Sequence, residues 1–206
     1  MDAELKNSLS TGTTILGIVC KDGIVMASDR RMSLGHGLIF GKDAQKTVIL
    51  NDYLVFAGCG SATEVQKISK LLTAELKLKE LKSKVRPSVK QSASLLSNIR
   101  VEGSAFILGG FDEDGASLFE VTGGYLKEVK DYTASVGSGM PYVLGLLERQ
   151  YKEGLTVKEG IELAKESILS STQRDPASGN GIDIFTITKD GIKKAFEKEI
   201  SGELKK

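Results

Sequence analysis

Apolar residues recur along this chain in two rhythms, a period of two in short runs and a period near 3.6 in two longer blocks. Thr14, Leu16, Ile18 and Cys20 alternate with Ile15, Gly17 and Val19, a run apolar on both faces that predicts a strand sandwiched between layers. Lys21-Asp22-Gly23 turns it, since Asp-Gly is a strong two-residue hairpin signal, and residues 24–27 supply the returning strand. Asp114-Gly115 repeats the device between residues 104–110 and 116–121, and Asp190-Gly191 repeats it between 182–188 and 192–196. A turn at Asn51-Asp52 joins residues 46–50 to 53–57. The sheets are therefore predicted to be largely antiparallel.

The helical blocks lie between these hairpins. Ser61-Ala-Thr-Glu64 reads as a capping box, and Val65, Ile68, Leu72 and Leu76 follow at helical spacing. After Arg86-Pro87, the residues Val89, Ala93, Leu96 and Ile99 mark a second helix. The second block begins near Pro141, with Val143, Leu146, Leu147 and Tyr151 on one stripe. Thr156-Val-Lys-Glu159 is another capping box, ahead of Val157, Ile161, Ala164 and Ile168. Sheets apolar on both faces need cover on both, so helix pairs placed between antiparallel hairpins predict an α+β fold, a four-layer αββα sandwich.

At 206 residues the chain suits one domain with a sizeable core. Lys and Arg total 28 against 27 for Asp and Glu, so no global field draws it to nucleic acid or to an anionic membrane. Its apolar runs are too short to span a bilayer, and residues 1–9 lack the basic and apolar segments of a secretory signal, so a cytoplasmic protein is expected. Cys20 and Cys59 form no paired motif and are expected to be reduced thiols. The one histidine, His36, falls in a Gly-rich loop, which leaves little material for a histidine relay. With no zinc or calcium spacing, neither metal nor cofactor chemistry is expected.

The candidate chemistry lies in residues 10–31, where a polar leader ends at Gly12 and the first apolar run begins at once. Cutting the Gly12-Thr13 bond would give Thr13 a free α-amine next to its hydroxyl, a nucleophile carrying its own base. An α-amine titrates near ~7.7–8.0, which suits a base at neutral pH. Before the cut, the Thr13 hydroxyl could attack the Gly12 carbonyl and shift the acyl group to oxygen for water to hydrolyse. Read alone, Thr-Gly-Thr-Thr is only a turn and a strand start.

Taken together, Gly12-Thr13-Thr14 with Gly17, Met26-Ala-Ser-Asp-Arg-Arg31, Ala57-Gly58, Ser135-Val-Gly-Ser-Gly139 and Gln173-Arg-Asp-Pro-Ala-Ser-Gly179 resemble the β subunits of the proteasome core particle, especially the archaeal type. The resemblance covers Gly12 to about Phe196. It implies the N-terminal nucleophile hydrolase fold, a leader at 1–12 removed by self-cleavage between Gly12 and Thr13, and a catalytic domain over 13–206. Thr13 is then the nucleophile of a threonine endopeptidase, with Asp29 and Lys46 as close partners and Ser138, Asp175 and Ser178 in a hydrogen-bond network around the amine. Gly58 and Thr13 offer backbone N–H groups to the oxyanion, Ser33 and Gly58 pair with the substrate backbone, and Met32, Ala44, Val48 and Phe56 line the pocket for the residue before the scissile bond. An apolar pocket would favour cleavage after large apolar residues.

Ordinary structural roles compete at each position. Asp29 could pair with Arg30 or Arg31 at the surface, Lys46 could snorkel at a strand start, Ser138 could cap a helix, Asp175-Pro176 could be a turn, and Gly58 a strand end. The resemblance also implies partners: other β subunits in a seven-membered ring, α-subunit rings, an ATP-driven unfoldase, and unfolded polypeptides as substrates. Two other readings are a structural β subunit, processed or active only with a second β chain, and the bacterial two-component ATP-dependent peptidase of the same fold. The segment Arg174-Asp175-Pro-Ala-Ser-Gly179 and the expected ring size disfavour the last.

Overall fold

A computed structural model describes residues 10–34, 38–101, 103–135 and 137–199. His36, residues 1–9 of the leader and the last residues of the chain lie outside the described residues. A short β1 (Ser10–Thr11) leads to the hairpin of β2 (Ile15–Cys20) and β3 (Gly23–Asp29). A small hairpin of β4 (Met32–Leu34) and β5 (Leu38–Gly41) follows, then β6 (Thr47–Ile49) and β7 (Leu54–Ser61). Helices α1 (Ala62–Ser83) and α2 (Val89–Asn98) precede β8 (Ser104–Asp112), β9 (Gly115–Thr122), β10 (Tyr125–Val129) and β11 (Tyr132–Ala134). Helices α3 (Met140–Gln150) and α4 (Val157–Thr172) and the hairpin of β12 (Gly181–Thr188) and β13 (Gly191–Glu199) complete it.

One sheet runs β1-β7-β8-β9-β10 with β6 also on β7, the other β11-β2-β3-β12-β13, and the pairs within both are antiparallel. Period-two alternation sorts each strand between two cores. On β2 and β3, Leu16, Ile18, Val25 and Ala27 face α3 and α4, while Ile15, Ile24 and Met26 meet the other sheet. On β7, Leu54 and Phe56 pack under α1 and α2 while Val55, Ala57 and Cys59 face the inter-sheet layer. Three stacked cores make the predicted αββα sandwich, and each fully buried aliphatic side chain in them contributes roughly 1.5–3 kcal/mol.

Local chemistry fixes the helix starts. Ser88 and Thr156 close reciprocal capping boxes with Gln91 and Glu159. At α1 only the first half of the predicted box forms: Ser61 accepts from the Glu64 amide, while the Glu64 carboxylate faces Lys67 at 3.7 Å. Because β3 runs antiparallel between β2 and β12, with Ile15 opposite Ser28 and Ile182 opposite Asp29, the start of β2, the end of β3 and the start of β12 meet at one end of the sheet. The Asp22-Gly23 and Asp190-Gly191 turns lie at the other end.

Candidate active site

Thr13 sits at the meeting of those strand ends with 1 % of its surface exposed. Its backbone N–H donates to Ser138 Oγ at 3.1 Å, and Ser138 Oγ donates to Asp175 Oδ2 at 2.6 Å. The Ser178 hydroxyl donates to the same oxygen at 2.6 Å. Thr14 Oγ1 lies 2.7 Å from Ser178 Oγ and 3.0 Å from Ser171 Oγ, which ties the start of β2 to α4 and the loop after it. The loop before α3 is held on the same point, since Gly139 N–H donates to the Thr13 carbonyl at 3.3 Å.

On the other side of Thr13, the Lys46 ammonium donates to Asp29 Oδ1 at 2.6 Å and to the Gly12 carbonyl oxygen at 3.1 Å. Asp29 is fully buried, and its remaining acceptor capacity takes the N–H groups of Thr14 at 2.8 Å, Arg31 at 3.0 Å and Gly179 at 3.0 Å. Burial pulls Lys46 below the ordinary lysine range, against the opposing charge and hydrogen bond of Asp29. The surface-pair alternative for Asp29 does not hold. The Arg31 guanidinium turns instead to Asn180 Oδ1 and the Pro176 carbonyl, both at 2.7 Å.

The leader enters as an added strand. Ser10 pairs with Ser61 and Thr11 with Gly60 on β7, and Gly12 N–H donates to Ser33 Oγ at 3.1 Å. A Cβ at Gly12 would come within 1.9 Å of the Ala177 Cβ, so only glycine fits between the leader strand and the 174–180 loop. Thr13, Lys46 and Gly58 border a cavity of about 330 Å³ with Met32, Ala44 and Val48. A surface depression of about 690 Å³ lies far from this chemistry, over α3 and α4.

Two expected assignments need correction. Phe56 does not line the cavity; it is fully buried under α1 and α2, stacked on Phe106 at 5.2 Å, one pleat below the pocket floor. Gly58 does border the cavity, but its N–H donates to the Lys46 carbonyl at 3.1 Å within the β6–β7 pairing, and the leader pairs two residues further on. Gly60, at φ +107°, is the glycine opposite Thr11. The sequence offers both glycines of Gly58-Cys59-Gly60, and nothing in alternation distinguishes them. Sequence reasoning gives no site role to Thr14, Ser171 or Asn180 and offers Arg31 only as a surface partner of Asp29; the hydroxyl of a second threonine directly after the first is the available signal.

Both thiols are buried, and burial pushes Cys20 up to about 12 and raises Cys59, so neither supplies a thiolate nucleophile. Among the described residues no cluster of three or more His, Cys, Asp or Glu side chains could hold a metal, and no helix is long and apolar enough to cross a membrane.

A four-layer sandwich in which an inner strand opens on a buried hydroxyl residue, with a serine–aspartate hydrogen-bond network on one side and a lysine on the other, has the architecture of the N-terminal nucleophile hydrolases. Comparison with known proteins narrows the class. Residues 9–187 match the family of proteasome subunits. The chain is 40 % identical to a proteasome subunit beta of Nanoarchaeum equitans over 192 residues, covering 89 % of this chain and 97 % of the relative. It is 36 % identical to that of Archaeoglobus profundus over 208 residues (97 % and 95 % covered), and 39 % identical to proteasome subunit beta 1 of Thermococcus onnurineus over 202 residues (94 % and 97 %). This chain belongs to the proteasome subunit family.

Proposed function

We propose that this chain is a catalytic β subunit of a proteasome core particle, a threonine endopeptidase that matures by cutting its own Gly12-Thr13 bond. The observation that carries the reading is the placement of the Gly12 carbonyl: Lys46 Nζ donates to its oxygen at 3.1 Å while the adjoining Thr13 N–H rests on Ser138. Attack of Thr13 Oγ on the Gly12 carbonyl carbon forms a C–O bond and places negative charge on that oxygen, where the ammonium stabilises it. Collapse breaks the C–N bond, and the hydroxyl proton passes to the Thr13 nitrogen. Water then hydrolyses the ester and releases residues 1–12.

The mature site repeats the chemistry on other chains. The new α-amine takes the Thr13 hydroxyl proton as Oγ attacks a peptide carbonyl, then gives it to the departing amine, and water cleaves the acyl-enzyme. Ser138, Asp175 and Ser178 orient the amine, and Asp29 holds Lys46. The leader's own path supports substrates lying as a strand along β7, with Ser33 on the opposite side and Met32, Ala44 and Val48 around the residue before the cut. Register opposite Thr11 favours Gly60 over Gly58 as the strand backbone facing the reacting carbonyl. Main-chain pairing implies broad sequence tolerance, which suits confinement within stacked seven-membered rings of β chains, closed by α rings and fed unfolded polypeptide by an ATP-driven unfoldase.

The test is the intact mass of the chain after co-assembly with its α subunits, beside Thr13→Ala. Loss of residues 1–12 in wild type alone is the expected result. A wild-type chain that keeps its leader in complete particles would favour a structural subunit dependent on a second β chain.

A further inference from the structure

Among the described residues, a second buried cation, besides Lys46, lies outside the Thr13 network. Arg30 is 7 % exposed at its side chain, next to Asp29 in sequence but turned to the other side of the strand. Its guanidinium contacts three carboxylates. One nitrogen bonds Asp43, a second bonds Glu197 at 2.9 Å, and Nε faces the fully buried Asp183 at 3.9 Å, a charge contact rather than a hydrogen bond. Lys194 closes the cluster from behind at 3.1 Å from Asp183 and 2.9 Å from Glu197. Burial disfavours the Lys194 charge, but its ion-pair contacts with Glu197 and Asp183 outweigh it and raise its pKa, while the Lys194 contact lowers that of Glu197.

The Arg30 backbone is engaged as well. Its carbonyl accepts from Ala44 N–H at 2.9 Å, and its N–H donates to the Gly179 carbonyl at 3.1 Å. Asp43 and Ala44 both border the cavity beside Thr13. Arg30 therefore grips one wall of that cavity twice, through main chain and side chain, and the wall's carboxylate is held by the guanidinium although 72 % of the Asp43 side chain is exposed. An uncompensated carboxylate there would attract a cationic side chain and repel an anionic one.

We infer that Arg30 is a positioning residue that sets the specificity of the pocket, clamping Asp43 and cancelling its charge so that the pocket accepts apolar side chains before the scissile bond in preference to basic ones. The inference rests on the threonine-peptidase reading above. Removing the guanidinium uncovers the Asp43 carboxylate and makes the cluster more negative; removing the carboxylate takes the cluster from one net negative charge to none. The two changes push selectivity in opposite directions.

The experiment uses co-assembled particles and a matched pair of fluorogenic peptides, one with Leu and one with Arg before the cut, with Thr13→Ala as the blank. Solvent screening limits the effect to the order of tenfold in the Arg-to-Leu ratio of kcat/KM. Arg30→Gln raises that ratio, Asp43→Asn lowers it, and the double variant returns it toward wild type. Arg30→Lys, which keeps the charge, stays near wild type. Asp43 is on the surface, so its variant decides the matter even if Arg30→Gln fails to fold. An unchanged ratio in Asp43→Asn, or a parallel loss on both peptides in Arg30→Gln, overturns the inference while leaving the enzyme reading intact. Wild-type turnover no greater than the Thr13→Ala blank would remove the enzyme reading itself.

Discussion

Asp29 takes two donors on each carboxylate oxygen, three of them backbone N–H groups and the fourth the Lys46 ammonium. Asn in its place would turn an NH2 toward two donors whichever way the amide faced. Asp29→Asn is therefore expected to destabilise the subunit by roughly 2–4 kcal/mol in urea unfolding, and an unchanged midpoint would refute the account. Lys46 gives a pH signature. Its folded-state pKa is lowered, so the unfolded chain binds that proton more tightly and stability rises with pH between the lowered value and that of a free lysine. The self-cleavage proposed above, if assisted by the ammonium, is expected to go the other way, fast below the lowered value and failing as pH rises through it. Lys46→Arg, charged at every accessible pH, removes the alkaline fall. Leader loss followed by mass against pH checks this, and a rate that climbed over the same range would make the neutral amine the working form.

At the scale of elements, the cavity depends on how closely α1 approaches β7. A Cβ on Gly58 would stand 2.7 Å from Val65 Cγ1 and 3.2 Å from Phe106, so Gly58→Ala must push the start of α1 outward or fill the pocket floor. A loss of about 1–3 kcal/mol is expected, with KM rising more for Phe than for Ala before the cut. Equal KM changes for the two peptides would count against Gly58 as the floor. The three Asp-Gly hairpins and the helix stripes were legible because turn chemistry and amphipathic spacing are local. The two-residue β1, the small β4–β5 hairpin and the three-residue β11 carry too few residues to show a period; tertiary pairing makes them. The resemblance puts Phe56 in the pocket lining, and alternation offers no check on it, since it gives the face of a strand but not the point where a covering helix gives way to a pocket.

For the whole molecule, apolarity on both faces of the central strands made the layer order readable, since no other stacking covers them. The site was less so: strand order brings Thr13, Asp29 and Lys46 together, the loops before α3 and after α4 bring in Ser138 and Asp175, and resemblance rather than periodicity joins them. The supporting hydroxyls of Thr14 and Ser171 had no such guide. The strand formed by Ser10 and Thr11 also bears on how the subunit is made. Open strand edges recruit other chains, and the leader occupies part of one while the molecule is still alone. Protein produced with Thr13 as its first residue should therefore be recovered in lower soluble yield than the full chain, with more material lost as aggregate on refolding. Leader peptide added separately should restore part of that yield, and equal recoveries with and without the leader would show that the edge needs no such cover.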